Sequence, residues 1–96
     1  MIASFGDRRT ADLYHGRSTS RVRQLPADIV GPALRKLDMV NAAVSVEDLR
    51  NPPSNRLERL KGDLKGFYSI RVNVQWRAIF RWSSREASDA QLVDYH

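Results

Sequence analysis

The chain of 96 residues contains no cysteine. That excludes a disulfide framework, a thiolate zinc site and a thiol nucleophile, and it fits a reducing compartment. No apolar stretch approaches the roughly 20 residues that a bilayer-spanning helix needs. Residues 1–8 hold no basic segment followed by a long apolar run, so no signal peptide is read there. A glycine-rich phosphate loop, a metal-ligand cluster and a serine nucleophile signature are also missing. Internal repeats, linkers and low-complexity tracts do not occur. These absences predict one domain over residues 1–96, in a soluble cytoplasmic protein with no membrane partner, no metal and no cofactor.

What is present is basic charge, unevenly placed. The formal net charge is +5. Residues 1–49 carry seven basic and six acidic side chains, residues 50–85 nine and two, and residues 86–96 none and three. A concentrated basic stretch draws polyanions, because each phosphate contact releases counterions. A solvated basic surface is the competing reading.

The N-terminal half reads mainly as helix. Residues 1–5 are short and apolar enough for a first strand. Asp7 can cap a helix that runs to Tyr14 or His15 and stops at Gly16. Residues 17–24 are polar and read as a loop. From Pro26 onward Ile29, Val30, Ala33, Leu34, Leu37, Val40 and Val44 recur at three- and four-residue steps, one face of a second helix. Gly31 and Pro32 interrupt that pattern, so the helix either bends there or starts there. Residues 46–49 suit one more turn capped by Ser45, and residues 51–55 break the chain.

The C-terminal half alternates with period two. Tyr68, Ile70 and Val72 form one set, with Ser69, Arg71 and Asn73 opposite. Trp76, Ala78, Phe80 and Trp82 form another, with Arg77, Ile79 and Arg81 opposite. Directly paired residues share a face, so both apolar sets reach one core only if paired numbers sum to an even value. Val72 opposite Trp76 satisfies this, with Asn73, Val74 and Gln75 as the turn. Arg71 then lies opposite Arg77, and this repulsion calls for an anion nearby. Residues 91–95 read as a last strand. The predicted fold is α+β: two N-terminal helices on one face of a mainly antiparallel sheet, with an open basic face opposite carrying Arg71, Arg77 and Arg81.

Metal-free RNA cleavage needs a base for the 2′-hydroxyl, cations for the phosphate oxygens, an acid for the leaving 5′-oxygen and in-line positioning. Histidine, lysine and arginine can fill these roles. His15 ends a helix and reads as a capping or surface residue. His96 follows an apolar run and is either held by it or frayed. Lys61 precedes Gly62, where a backbone can come close, or is a plain turn lysine. Arg77 either binds phosphate or pairs with a carboxylate such as Asp94. Tyr95 either stacks on a base or belongs to the core.

At this point the residues resemble a known family. Residues 55–63, the hairpin around Tyr68, Arg71, Trp76 and Arg77, the ending Val93-Asp94-Tyr95-His96 and the opening residues 1–5 are similar to HigB toxins of the RelE superfamily. The patches lie in order along nearly the whole chain. The resemblance implies a RelE-type fold and ribosome-dependent cleavage of messenger RNA in the A site. It implies His96, Lys61, Arg77, Asp94 and Tyr95 as the catalytic set. It also implies a HigA-like helix-turn-helix antitoxin, with operator DNA met only through that partner.

One position departs from the pattern. The best-known members have a histidine three residues before the lysine, and this chain has Glu58. A carboxylate is a weak base at neutral pH, and beside the scissile phosphate it would repel it. Glu58 is therefore expected to orient Arg77 or Lys61 by a charge-assisted hydrogen bond, while Arg71 and Arg81 contact RNA. Two other readings remain: a non-catalytic toxin on the same scaffold that blocks a topoisomerase, and a plain RNA- or ribosome-binding module.

Overall fold

The computed structural model describes residues 1–94. Three helices, α1 (Arg8–Tyr14), α2 (Ser20–Arg23) and α3 (Ala27–Ala42), precede four strands, β1 (Glu58–Arg59), β2 (Phe67–Arg71), β3 (Trp76–Ser83) and β4 (Glu86–Asp94). The strands form one antiparallel sheet in sequence order. Tyr95 and His96, two of the residues implied as catalytic, lie outside the described residues.

Local chemistry accounts for the helices. The Asp7 carboxylate accepts from the Thr10 amide at 2.8 Å and starts α1. Gly16, at φ 74°, follows its end. The polar stretch expected to be a loop holds a short helix, α2, capped by the Thr19 hydroxyl, which accepts from the Val22 amide at 3.3 Å. The late start expected as one alternative at Gly31-Pro32 does not occur. Helix α3 begins at Ala27 and runs through Pro32. The amide that proline lacks would have bonded the carbonyl of Asp28, an exposed residue where water can replace it. Ile29, Ala33, Leu37 and Val40 form the buried stripe of α3. Ser45 caps the next 3₁₀ turn, Val46–Arg50, through a capping box with Asp48. The backbone amides of Ser45 and Val44 hold the Asp48 carboxyl below its usual range.

The main hairpin has the even-sum register. Arg71 pairs with Arg77 and Tyr68 with Phe80, and the Val72 amide donates to the Trp76 carbonyl at 2.9 Å. The Asn73 side-chain oxygen closes the turn by accepting from the amides of Gln75 and Trp76. Ile70, Trp76, Ala78 and Phe80 thereby enter the core with the α3 stripe and Leu92.

The opposite face is not uniformly open. Phe67 and Ile79 are buried there under Leu60, with Leu64 and Val93 packed alongside. The ladder continues past β1, since the Leu60 amide donates to the Phe67 carbonyl at 2.8 Å. This carries Leu60 over the apolar centre of the face and leaves its two ends basic.

Strand β4 is longer than expected, because a bulge interrupts its alternation. Ile79 pairs with Gln91 but Arg81 pairs with Ser88, so one extra residue sits in β4. Ala87 and Ala90 consequently both face the core. The outer edge of β4 is covered by residues 1–6. They form two parallel bridges, Ile2 with Ala87 and Phe5 with Ala90, rather than the full strand expected. Beyond them α1 takes over: the Thr10 hydroxyl accepts from the Leu92 amide at 2.9 Å, in a fully buried position. An uncovered edge would invite pairing with another chain.

This bond predicts the effect of Thr10→Val, which keeps the shape and removes the acceptor. The buried Leu92 amide would lose its partner, at a cost of about 1–3 kcal/mol. The melting temperature should fall by several degrees, as measured by thermal denaturation. An unchanged melting temperature would show that α1 does not serve this edge.

Candidate active site

The site grows from the basic end of the sheet face. Glu58 pairs with Ser69 across β1 and β2, so both side chains share a face. Arg77 sits diagonally from Ser69, two pleat positions along β3 from Arg81. Its guanidinium donates to the Ser69 hydroxyl at 2.8 Å and to the Arg56 carbonyl at 3.4 Å, and pairs with the Glu58 carboxylate at 3.1 Å. The Arg77 side chain is only 12% exposed, whereas Glu58 is 51% exposed. The arginine is thus fixed by its surroundings, while the carboxylate can be released into water. A pair with one partner this exposed is worth ~1 kcal/mol or less in net stability.

Arg71 stands directly across from Arg77. Its Nε donates to the Asn73 carbonyl at 3.2 Å. The like-charge pair foreseen in the hairpin is therefore relieved at the Arg77 end by Glu58. Arg81 lies elsewhere. Four residues along β3 is ~13 Å, with buried Ile79 between. Its Nε is 3.3 Å from an Asp89 carboxylate oxygen, and its guanidinium lies 4.3 Å over the Phe67 ring.

Lys61 follows β1 and lies outside the Arg77 cluster. It lines a separate depression of about 340 Å³ with Arg59, Leu60, Lys65 and Gly66. Gly62 adopts φ 65°, with nothing near where a Cβ would sit, so the backbone there is open to approach. Asp94 pairs with Trp76, one step from the Val93 that pairs with Arg77. Its carboxylate accepts from the Gln75 side-chain Nε2 at 3.0 Å. Within the described residues, Glu58 and Arg77 are joined directly and Arg71 sits beside them, while Lys61 and Arg81 stand apart. Among those residues, no group of three or more histidine, aspartate or glutamate side chains is placed to hold a metal.

Two members of the cluster escaped the sequence reading. Ser69 was legible as a residue of the basic face, but its hydroxyl is fully buried beneath Arg77, and only the β1 pairing shows this. Arg56 contributes its carbonyl from a left-handed conformation, φ 47°. No composition signal marks that, because arginine has no preference for such a turn.

The chain also has relatives. Residues 3–96 match the family described as the RelE-like toxin of the type II toxin-antitoxin system HigB. Toxin HigB-1 of Vibrio cholerae is 44% identical over 92 residues, 96% of this chain and 95% of that one. Endoribonuclease HigB of Proteus vulgaris is 32% identical over 96 residues, 100% of both chains. In a YoeB-YefM complex from Staphylococcus aureus, a chain 18% identical superposes with a TM-score of 0.61, covering 100% of this chain and 98% of that one. The YoeB dimer from the same organism gives 0.57 at 18% identity, over 99% and 97%. At such identity the two solved structures establish the fold, and the sequence matches establish more: this chain belongs to the HigB family of RelE-like toxins of type II toxin–antitoxin systems.

Proposed function

We propose that the protein is a ribosome-dependent endoribonuclease that cuts messenger RNA in the A site and so stops translation in the cytoplasm. The observation that carries this reading is the full-length match to a protein named Endoribonuclease HigB. The chemistry is attack of a 2′-oxygen on the adjacent phosphorus, with loss of the bond to the 5′-oxygen. Arg77 suits stabilisation of the phosphate charge, because its guanidinium is already held in place and its counterion is exposed. Lys61 adds a second cation. His96 is assigned proton transfer, since an imidazole titrates near ~6.5. Asp94 and Tyr95 complete the set, with Tyr95 available to stack on a base.

The ribosome supplies orientation that so small a domain lacks, so cleavage of naked transcript should be far slower than cleavage of ribosome-bound message. The neutralising partner is a HigA-like helix-turn-helix antitoxin, through which alone the toxin meets operator DNA. Primer extension on cellular messages after brief expression tests the reading. Discrete in-frame cuts are expected. DNA damage without cuts would indicate a topoisomerase-blocking toxin, and neither outcome would leave a binding module.

Replacing His96 by alanine should abolish toxicity and keep antitoxin binding, and Arg77→Ala and Lys61→Ala should do the same. Loss of a general acid or base costs ~10²–10⁴-fold, which growth assays detect. Full toxicity of well-expressed His96→Ala would remove that residue from the mechanism.

Glu58→Gln separates orienting from proton abstraction. Glutamine keeps an acceptor for Arg77 and has no basicity, so much of the cleavage on ribosomes should survive. A loss as deep as that of His96→Ala, with ribosome binding intact, would instead make Glu58 the base.

A further inference from the structure

Next to the Arg77–Glu58 pair lies a pocket of about 220 Å³ lined by Lys36, Ser54, Arg56, Arg71 and Val72. Its polar lining consists of three cations and a hydroxyl, without a carboxylate. The cations come from α3, from the segment before β1 and from β2, so the fold gathers them from distant stretches. Two are held in place. Lys36 is half-buried and donates to the side-chain oxygen of Asn55. Asn55 is itself fully buried and donates to the carbonyls of Leu49 and Asn51 at 3.1 and 3.3 Å. Arg71 is held by the Asn73 carbonyl.

Arg56 is presented differently. Its side chain is exposed and its backbone sits at φ 47°, a region that residues with a Cβ seldom adopt. Glycine or asparagine would suit the turn better, so the turn itself gives no reason for an arginine there. Its carbonyl accepts from Arg77, which ties the pocket directly to the Arg77 cluster. Three cations around one cavity repel one another unless an anion sits among them. Burial, and then neighbouring Arg35, lower the Lys36 ammonium below the ordinary lysine range. A bound anion would reverse that tendency.

We propose that this pocket is a second phosphate subsite, in which Lys36, Arg56 and Arg71 hold an RNA phosphodiester one step from the phosphate at Arg77. The inference rests on the RNA reading above and extends it to residues outside the catalytic set. The phosphodiester belongs either to the message or to ribosomal RNA. The subsite sets affinity and register and takes no part in proton transfer.

Arg56→Gly is the informative variant. It removes the cation, suits the positive φ and keeps the carbonyl that Arg77 needs, so the melting temperature should hold or rise. Lys36→Gln is its companion, since the amide can still donate to Asn55. Binding of each full-length variant would be measured across a salt series on two targets. One is ribosomes carrying a message with 2′-O-methyl groups in the A site, which cannot be cleaved. The other is ribosomes without message.

Weaker binding of both variants, with the salt slope reduced by about 0.7–0.9 for the lost contact, supports the subsite. A loss confined to programmed ribosomes identifies the message as the source, and an equal loss on both identifies ribosomal RNA. Unchanged affinity and slope, while Arg77→Ala weakens binding, would overturn the subsite and leave the RNA reading intact. Unchanged ribosome binding with weakened antitoxin binding would overturn it in favour of an acidic segment of the protein partner. Failure of the parent protein to bind either ribosome would overturn the RNA reading itself.

Discussion

The pairing of Val72 with Trp76 governs the rest of the molecule. Because strand side chains alternate, that single register decides the face of every residue in β2 and β3. It places Ile70, Ala78 and Phe80 against α3 and turns Arg71 and Arg77 together to the other side. A register slipped by one residue would bury arginines against the helices and expose Phe80. The hydrophobic core and the basic site are therefore two consequences of one constraint, and neither can be moved without the other.

That constraint creates an electrostatic problem, and the shortest strand of the sheet answers it. Two arginines directly across a hairpin repel each other. Strand β1 is only Glu58 and Arg59, but its pairing with Ser69 and Tyr68 delivers the Glu58 carboxylate to Arg77. The approach to β1 is controlled by buried Asn55, which ties the preceding turns to α3 through Lys36. The left-handed residue Arg56 then redirects the chain into the strand. An element of two residues thus acts as a positioning device because the segment before it is anchored in the core.

The remaining structure protects this arrangement. Residues 1–6 and the Thr10 hydroxyl cover the outer edge of β4, which keeps the sheet from extending onto another chain. Leu60 covers the apolar centre of the basic face. The result is a face whose charge is divided. Arg71 and Arg77 stand at one end, and Arg81, engaged by Asp89 and Phe67, stands at the other.

Much of this was legible in the residues alone, wherever a pattern repeats. Asp7 and Ser45 announced their caps, the spacing of Ile29, Ala33, Leu37 and Val40 announced α3, and the parity of residues 67–82 announced the hairpin register and the Arg71–Arg77 pair. Features that depend on distant contacts were not legible. The bulge in β4 hides the first half of that strand, because one inserted residue breaks the period-two signal while hydrogen bonds to β3 maintain the strand. The turn at Ser84 and Arg85 has positive φ at both residues without the glycine or asparagine that usually marks it. The burial of Ser69, the cover of Leu60 and the placing of Lys36 beside Arg71 arise only when β1 and α3 dock on the hairpin. Local periodicity is written in neighbouring residues and can be read there. Which cations share a pocket depends on how separate segments pack, and only the folded chain decides that.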